Sequence, residues 1–438
     1  MRVIFDARHL QTVSRTRGIG RYSRNLLAGF ARQAPADIEW TLLTLRSFAP
    51  ADPAPLPPHR VRATWRLRRP ELSMLALDPL LLSVELAGQG DLYHSVQLGL
   101  PAVRRIPVVL TIHDLAPLHW PEHYLRLPHS RLGHTWQYAL ARRADAIIAV
   151  SESTRRDVIE RLGIPSERVH VVSEAVDPAF GGDARAAEGD GPAAPPGASG
   201  AADARDERGA PDAPDGLRRG GARDASGDRG LVEPPDVPGH GQVGSPGASG
   251  GFGLGGGRGI PGRYVLYVGQ FDPRKNMDAL FAAFARASAR DAGLRLVIVG
   301  TLGRLSSYLR AALERSRLDP ARVVITGAVD DRALASLYAG AQCLLHPAHF
   351  EGFGLTALEA LACGTPVVAY RAGAVAEVVG DAGLLVEPGP DTLGDALVRF
   401  LDDPALAAEL RAKTGPRAAA FSWDRAAAET LAVYRALA

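Results

Sequence analysis

His346–Ala369 reads HPAHFEGFGLTALEALACGTPVVA. Its first residue closes an apolar, strand-like run that begins at Cys343, and the glycine-rich loop EGFG follows. From about Leu355 to Cys363 the residues are mostly good helix formers, which predicts a helix. Gly364 stands where a helix is capped, and Pro366 opens the next apolar run, Val367–Ala369. Strand, loop, helix and strand in so short a stretch make a βαβ unit, so the sheet that holds it is parallel. The loop carries chemistry as well. Gly352 and Gly354, on either side of Phe353, let a ligand approach the backbone closely. The free N–H groups at the helix start, near Gly354, Leu355 and Thr356, suit an anion such as a diphosphate. Glu351 stands at the helix mouth and Glu359 about a turn inside it. A carboxylate accepts two hydroxyl hydrogen bonds, which is what a sugar or a ribose presents.

Acids beside a phosphate repel it, so cations are expected nearby. They occur in Gly269–Asn276, GQFDPRKN, directly after the strand-like run Tyr264–Val268. Arg274 can grip a pyrophosphate with its planar fork and Lys275 as a point charge. Alone, this loop would read as two solvated surface charges. Together with EGFG it reads as a binding site.

The same alternation extends through the chain. Strand-like runs occur at Val3–Phe5, Val108–Ile112, Ala146–Val150 and Val169–Val172, then at Leu294–Val299 and Val323–Thr326. A helical pattern near Arg21–Gln33 carries Tyr22, Leu26, Leu27 and Phe30. Two doubly wound α/β domains follow, with a cleft at the carboxyl ends of their strands. Between them, from about Gly181 to Ile260, lies a stretch with about half of the chain's 47 glycines and one aromatic residue, Phe252. It cannot bury enough apolar area to offset its ordering entropy, which predicts disorder. The run GFGLGGGRG from Gly251 neither follows a strand nor opens a helix, so it is no dinucleotide loop. The expected domains are 1–178, a linker insertion at 179–262, 263–422, and a terminal helix at 423–438.

Composition narrows the function. The chain has 438 residues, 46% hydrophobic and 22% charged, with a formal net charge of +2. That balance belongs to a globular protein and demands no nucleic acid. Cys343 and Cys363 lie in apolar stretches and read as buried hydrophobes in a reducing cytosol. The opening MRVIFDARHL lacks a secretory pattern, and no run of about 18 apolar residues occurs, so a cytoplasmic location is expected. Arg66–Leu86 joins a basic cluster to an apolar stretch. We read it as a core helix with a solvated basic end, with peripheral contact at the inner membrane face as the alternative.

The segments LYVGQFDPRKN, the run from Val323 to Tyr370, and AEVVGDAGLLVEPGP resemble the nucleotide-sugar-binding domain of the family 4 retaining glycosyltransferases. That family has the GT-B fold, two Rossmann-like domains facing across a cleft. Its Glu-x7-Glu signature falls on Glu351 and Glu359. The resemblance implies that Glu351 contacts the donor sugar, Glu359 the ribose, and Arg274 and Lys275 the diphosphate. The base would lie against Gly327–Asp330. In the first half, the stretch from Asp6 through Gly18-Ile-Gly20-Arg-Tyr22 is similar to the family's first glycine loop, with Gly18 facing the diphosphate. VLTIHDL places His113 just after a strand, like the family's cleft histidine. Two features depart from the pattern: the long insertion, and Gln270 where the family has arginine.

The resemblance implies hexosyl transfer with retention from a nucleotide-diphosphate sugar to a glycan or lipid-linked acceptor. No Asp-x-Asp pair of a metal-dependent transferase is found, so no metal or other cofactor is expected. The leaving phosphate would help deprotonate the acceptor in a front-face displacement, and His113 would position a substrate. GIGRY and PRKN look most like the mannosyltransferase branch, which favours GDP-mannose, with UDP-glucose or a rhamnosyl donor next. The competing readings are a non-catalytic sugar-nucleotide-binding subunit and a GT-B epimerase or phosphorylase.

Overall fold

A computed structural model describes residues 1–12, 18–46, 57–64, 78–181, 260, 262–301 and 306–438. The predicted insertion therefore falls almost wholly outside the described residues, as does 66–77 of the basic-apolar segment. The first lobe contains β1 (Arg2–Asp6), α1 (Gly18–Gln33), β2 (Glu39–Leu45), β3 (His59–Thr64), α2 (Asp78–Glu85), β4 (Leu92–Ser95) and β5 (Val108–Ile112). It continues with the short α3 (Ala116–His119) and α4 (Pro121–Tyr124), α5 (Pro128–Ala141), β6 (Ala146–Ala149), α6 (Glu152–Leu162) and β7 (Val169–Val171). The second lobe contains β8 (Tyr264–Val268), α7 (Met277–Ser288), β9 (Arg295–Val299), α8 (Ser306–Ser316), β10 (Val323–Gly327), α9 (Asp331–Gly340), β11 (Leu344–His346) and α10 (Leu355–Ala362). After it come β12 (Val367–Tyr370), α11 (Val375–Val379), β13 (Gly383–Val386), α12 (Thr392–Asp402), α13 (Pro404–Ala419) and α14 (Trp423–Ala436).

The sheets run β3-β2-β1-β4-β5-β6-β7 and β10-β9-β8-β11-β12-β13, and every pairing is parallel. Counted from the first strand of each lobe, both begin 3-2-1-4-5-6. The chain changes winding direction between the first and fourth strands, which opens a crevice at their carboxyl ends. In the first lobe this point lies after Asp6 and Ser95, and in the second after Val268 and His346. Strands β6, β8 and β12 are buried throughout and read as unbroken apolar runs, and β5 is equally buried with Thr111 as its one polar residue.

The sequence reading passes over four strands. Strand β3, HRVRAT, is a sheet edge and mostly exposed, and β13 is the half-buried edge of the other sheet. Strand β2, EWTLLTL, mixes polar residues into its run. Strand β4, LYHS, is buried but polar, because His94 and Ser95 are satisfied by Thr111, Tyr434 and the Gln97 carbonyl.

Helix α14 lies on α1 of the first lobe. A Cβ on Gly29 would stand 2.8 Å from the Trp423 carbonyl oxygen and 2.9 Å from Ala427 Cβ, so the two backbones touch. Trp423 donates its indole N–H to the Val176 carbonyl (2.9 Å), and Tyr434 is buried against His94, Phe30 and Trp40. Both cysteines are buried free thiols. Helix α2 packs one face on the core through Leu82, with Leu86 just after it, while Leu80, Leu81 and Val84 face solvent.

Candidate active site between two helix N-termini

The second lobe supplies an ionic cluster at its switch point. A 3-10 turn, Pro273–Lys275, presents both cations. Asn276 ends it in the left-handed region at φ 53° and caps α7 through its side chain. Lys275 Nζ pairs with Glu351, and His346 Nε2 lies 3.2 Å from the same carboxylate oxygen. Arg274 stands 3.9 Å from the other Glu351 oxygen and 3.3 Å from Asp272. Lys275 and Glu351 are buried and Arg274 is half-buried, so the surface-charge reading of the loop fails. Burial alone would raise the Glu351 carboxyl, but Lys275, His346 and Arg274 outweigh it and hold the group well below the usual carboxylate range. Two buried polar atoms beside the cluster, Asp272 Oδ1 and His346 Nδ1, have no hydrogen-bond partner among the described residues.

Helix α10 starts at this cluster. Its N-cap, Gly354, sits at φ 101°, where it costs little, and has no side chain to cap the first N–H groups. Facing it, a Cβ on Gly18 would lie 3.8 Å from Leu355 Cδ1, so the N-termini of α1 and α10 adjoin across the cleft. One turn further along each helix, Arg21 of α1 reaches over the cleft. Its guanidinium pairs with Asp331, lies 3.7 Å from Glu359 and sits over the Phe180 ring. Tyr338 donates its hydroxyl to Glu359 at 2.9 Å. Here burial prevails: it pushes the Glu359 carboxyl up to about 7, against the opposing pull of Arg21 and Tyr338.

On the first-lobe side, a cavity of about 330 Å³ opens among Arg8, Gln97, His113, Asp114, His134 and Tyr138. Its wall is polar. Asp6 clamps Arg8 with contacts of 2.6 and 2.9 Å. Asp114 forms the boundary between cavity and ionic cluster, since Arg274 lies 3.4 Å from its carboxylate. His113 Nδ1 is 2.8 Å from Glu174 and its Nε2 3.2 Å from the Val96 carbonyl, with Tyr22 edge-on to the ring at 4.7 Å. Both ring nitrogens thus face oxygen acceptors within the protein.

The EGFG loop is also gripped from across the cleft. Ser151 and Thr154, at the start of α6, donate their hydroxyls to the Gly352 carbonyl at 2.6 and 3.0 Å. A Cβ on Gly352 would lie 1.9 Å from the His113 carbonyl oxygen, so only glycine fits there. Glu377 of α11 accepts from the Glu152 and Ser153 N–H groups at 2.8 and 2.7 Å. Two expectations change as a result. The Phe353 side chain is buried edge-on to Phe421 (5.7 Å), so only its backbone can meet a ligand. The Gly352 carbonyl serves the lobe contact. Leu355 and Thr356 remain half-buried at the helix mouth. Arg21, Asp114 and His346 carry no role in the sequence reading, although each lies within a quoted segment.

The model described as Glycosyltransferase Family 4 matches residues 16–180, and that described as Glycosyl transferases group 1 matches residues 260–420. The chain belongs to the family 4 glycosyltransferases. Among relatives of this family 4 chain, O-antigen chain mannosyltransferase B of Escherichia coli is 33% identical over 177 residues, 40% of this chain and 46% of the relative. D-inositol 3-phosphate glycosyltransferase of Acidothermus cellulolyticus is 38% identical over 190 residues, 40% of this chain and 41% of the relative. The chain thus spans less than half the length of these curated relatives in the match. Sucrose-phosphate synthase from Thermosynechococcus elongatus has a structure that matches over 100% of this chain and 99% of its own, with a TM-score of 0.67 and 21% identity. The family 4 chain therefore has the two-lobed GT-B fold.

Proposed function

We propose that this protein is a retaining hexosyltransferase that moves a sugar, mannose in the first instance, from a nucleotide-diphosphate donor to a hydroxyl of a glycan or glycolipid. The observation that carries this reading is the meeting of two helix N-termini, at Gly18 and Leu355, beside Arg274 and Lys275. Such a place favours an anion bearing several charges. In this reading the diphosphate lies between the helices, Glu359 takes the ribose hydroxyls and Glu351 the hydroxyls of the donor sugar. The anomeric carbon's bond to the phosphate oxygen breaks while the acceptor oxygen bonds on the same face. The acceptor proton passes to the departing phosphate. Arg274, Lys275 and the helix dipoles meet the charge that develops on the leaving group, so no metal takes part.

The first-lobe cavity beside Asp114 and His113 suits a hydroxyl-rich acceptor, because its wall offers both donors and acceptors. Mannose is favoured by the GIGRY and PRKN segments and by the mannosyltransferase relative. The test is nucleoside-diphosphate release from GDP-mannose, UDP-glucose and a rhamnosyl donor, with and without simple acceptors, for wild type and Glu351→Gln. Release of GDP that the substitution abolishes supports reaction class and donor together. Nucleotide binding with no release from any donor or acceptor would turn the reading toward a binding subunit.

A further inference from the structure

We propose that Arg21 is a donor-binding residue supplied by the first lobe, and that its guanidinium and Glu359 together hold one ribose hydroxyl of the nucleotide. The ligand in this inference rests on the transferase reading, and the residue on the geometry around Glu359. The two oxygens of that carboxylate are unlike. Oε2 accepts the Tyr338 hydroxyl at 2.9 Å, whereas Oε1 has no hydrogen-bond donor among the described residues. Across the cleft, Arg21 Nη1 is buried and has no hydrogen-bond partner among them either. The two atoms face each other at 3.7 Å, too far for a direct hydrogen bond. An oxygen within hydrogen-bond distance of both closes the gap, and it must donate to Oε1 while accepting from Nη1. A hydroxyl does both, but a phosphate oxygen has no proton to donate and an ammonium no lone pair to offer.

Arg21 is held in place by the protein itself. Its Nη2 pairs with Asp331, and the buried Phe180 ring lies 5.6 Å from Cζ. Asn25, one turn further along α1, ties the segment ahead of Phe180 through Asp177 at 3.1 Å. A guanidinium fixed on two sides presents its remaining N–H groups with little rotamer entropy left to lose.

The electrostatics favour the same division of labour. Burial pushes the Glu359 carboxyl up to about 7, Arg21 and then Tyr338 oppose the rise, and Asp331 and Asp177 add to it. The charged groups of the helices packed on α10 turn elsewhere. Arg411 holds the Gly364 and Gln342 carbonyls, Arg417 those of Glu377 and Val378, and the Glu377 carboxylate meets α6. An ionised carboxylate is the stronger acceptor for a hydroxyl, so Arg21 also favours the form of Glu359 that binds ribose.

The experiment is calorimetric titration of the full chain with GDP and UDP, and with their 2′-deoxy and 3′-deoxy forms, at pH 7 and pH 8.5. Wild type should bind the ribonucleotide about tenfold more tightly than the deoxy form that lacks the bridging hydroxyl. Arg21→Gln should bind both forms as weakly as wild type binds that deoxy form. Its deficit should shrink at pH 8.5, where Glu359 ionises without the cation. Asp331→Asn breaks the tie between the lobes but leaves the bridge, so it should keep wild-type affinity and discrimination. Arg21→Lys keeps the charge without the fork and should discriminate to an intermediate degree.

Equal wild-type affinity for the ribose and both deoxy forms overturns the proposal, as does unchanged ribonucleotide affinity in Arg21→Gln. A loss in Arg21→Gln that is the same for all forms at both pH values, and is matched by Asp331→Asn, would make Arg21 a tether alone. Should Arg21→Gln not fold, unchanged discrimination in Arg21→Lys overturns the proposal by itself. Failure of wild type to bind either GDP or UDP would overturn the transferase reading instead.

Discussion

Glu351 opens the glycine loop and Glu359 lies one turn inside the helix that follows, yet their surroundings oppose each other. Glu351 faces Lys275, Arg274 and His346 and stays ionised. Glu359 has one cation, Arg21, at 3.7 Å and is otherwise enclosed, which lifts it from 4.5 to about 7. The folded chain therefore binds a proton at Glu359 that the unfolded chain releases between those two values. Stability from this group is full below pH 4.5 and is lost as pH climbs through 7. Glu359→Gln should remove that loss, changing the pH dependence of unfolding free energy between pH 5 and 8 by on the order of 2 kcal/mol in urea titrations. Arg21→Gln should move the loss to higher pH, because the cation that lowers the Glu359 proton affinity is gone. Glu351→Gln should cost more than about a hundredfold in kcat at saturating donor, and it should also lower the thermal midpoint, because Lys275 loses its buried carboxylate partner.

The EGFG loop and α10 act as a unit because both ends are held. Gly354 leaves the helix start uncapped, whereas Ser151, Asn276 and Asp330 cap α6, α7 and α9 with their side chains. That difference keeps N–H groups available at one helix mouth. Gly352 lies against the His113 backbone, so Gly352→Ala must push the loop off the first lobe. We expect at least a tenfold loss in kcat/KM with secondary structure intact by circular dichroism. Glu377→Ala removes the acceptor for two N–H groups of α6 and should cost about 1 kcal/mol, read from chemical denaturation.

Across the whole molecule, the lobes are tied by Arg21 to Asp331, Asp114 to Arg274, Ser151 to Gly352, and by α14 packed on α1. The last tie has the least slack. Trp423, Ala427 and Gly29 meet at backbone distance, and Tyr434 reaches buried His94, which burial holds neutral with a pKa of about 3. Gly29→Val should wedge α14 outward, destabilise the chain by about 2 kcal/mol and lower the thermal midpoint by several degrees.

Local pattern was enough to establish two parallel α/β sheets. Strands buried on both faces read as apolar runs, and EGFG between a strand and a helix marks a ligand loop whatever the rest of the chain does. It was enough to propose Glu351, Glu359, Arg274 and Lys275 as site residues, since loop ends at a sheet's carboxyl edge concentrate chemistry. It could not show strands β2 and β4, whose polar residues are satisfied or exposed by neighbours distant in sequence. Nor could it tell that Phe353 points into the core. Above all it could not show the pairs across the cleft. Arg21 and Asp331 are 310 residues apart, Ser151 and Gly352 201, and Asp114 and Arg274 160. No periodicity relates residues at such separations. They meet only because two independently wound sheets place their switch points face to face, and that placement follows from packing between the lobes.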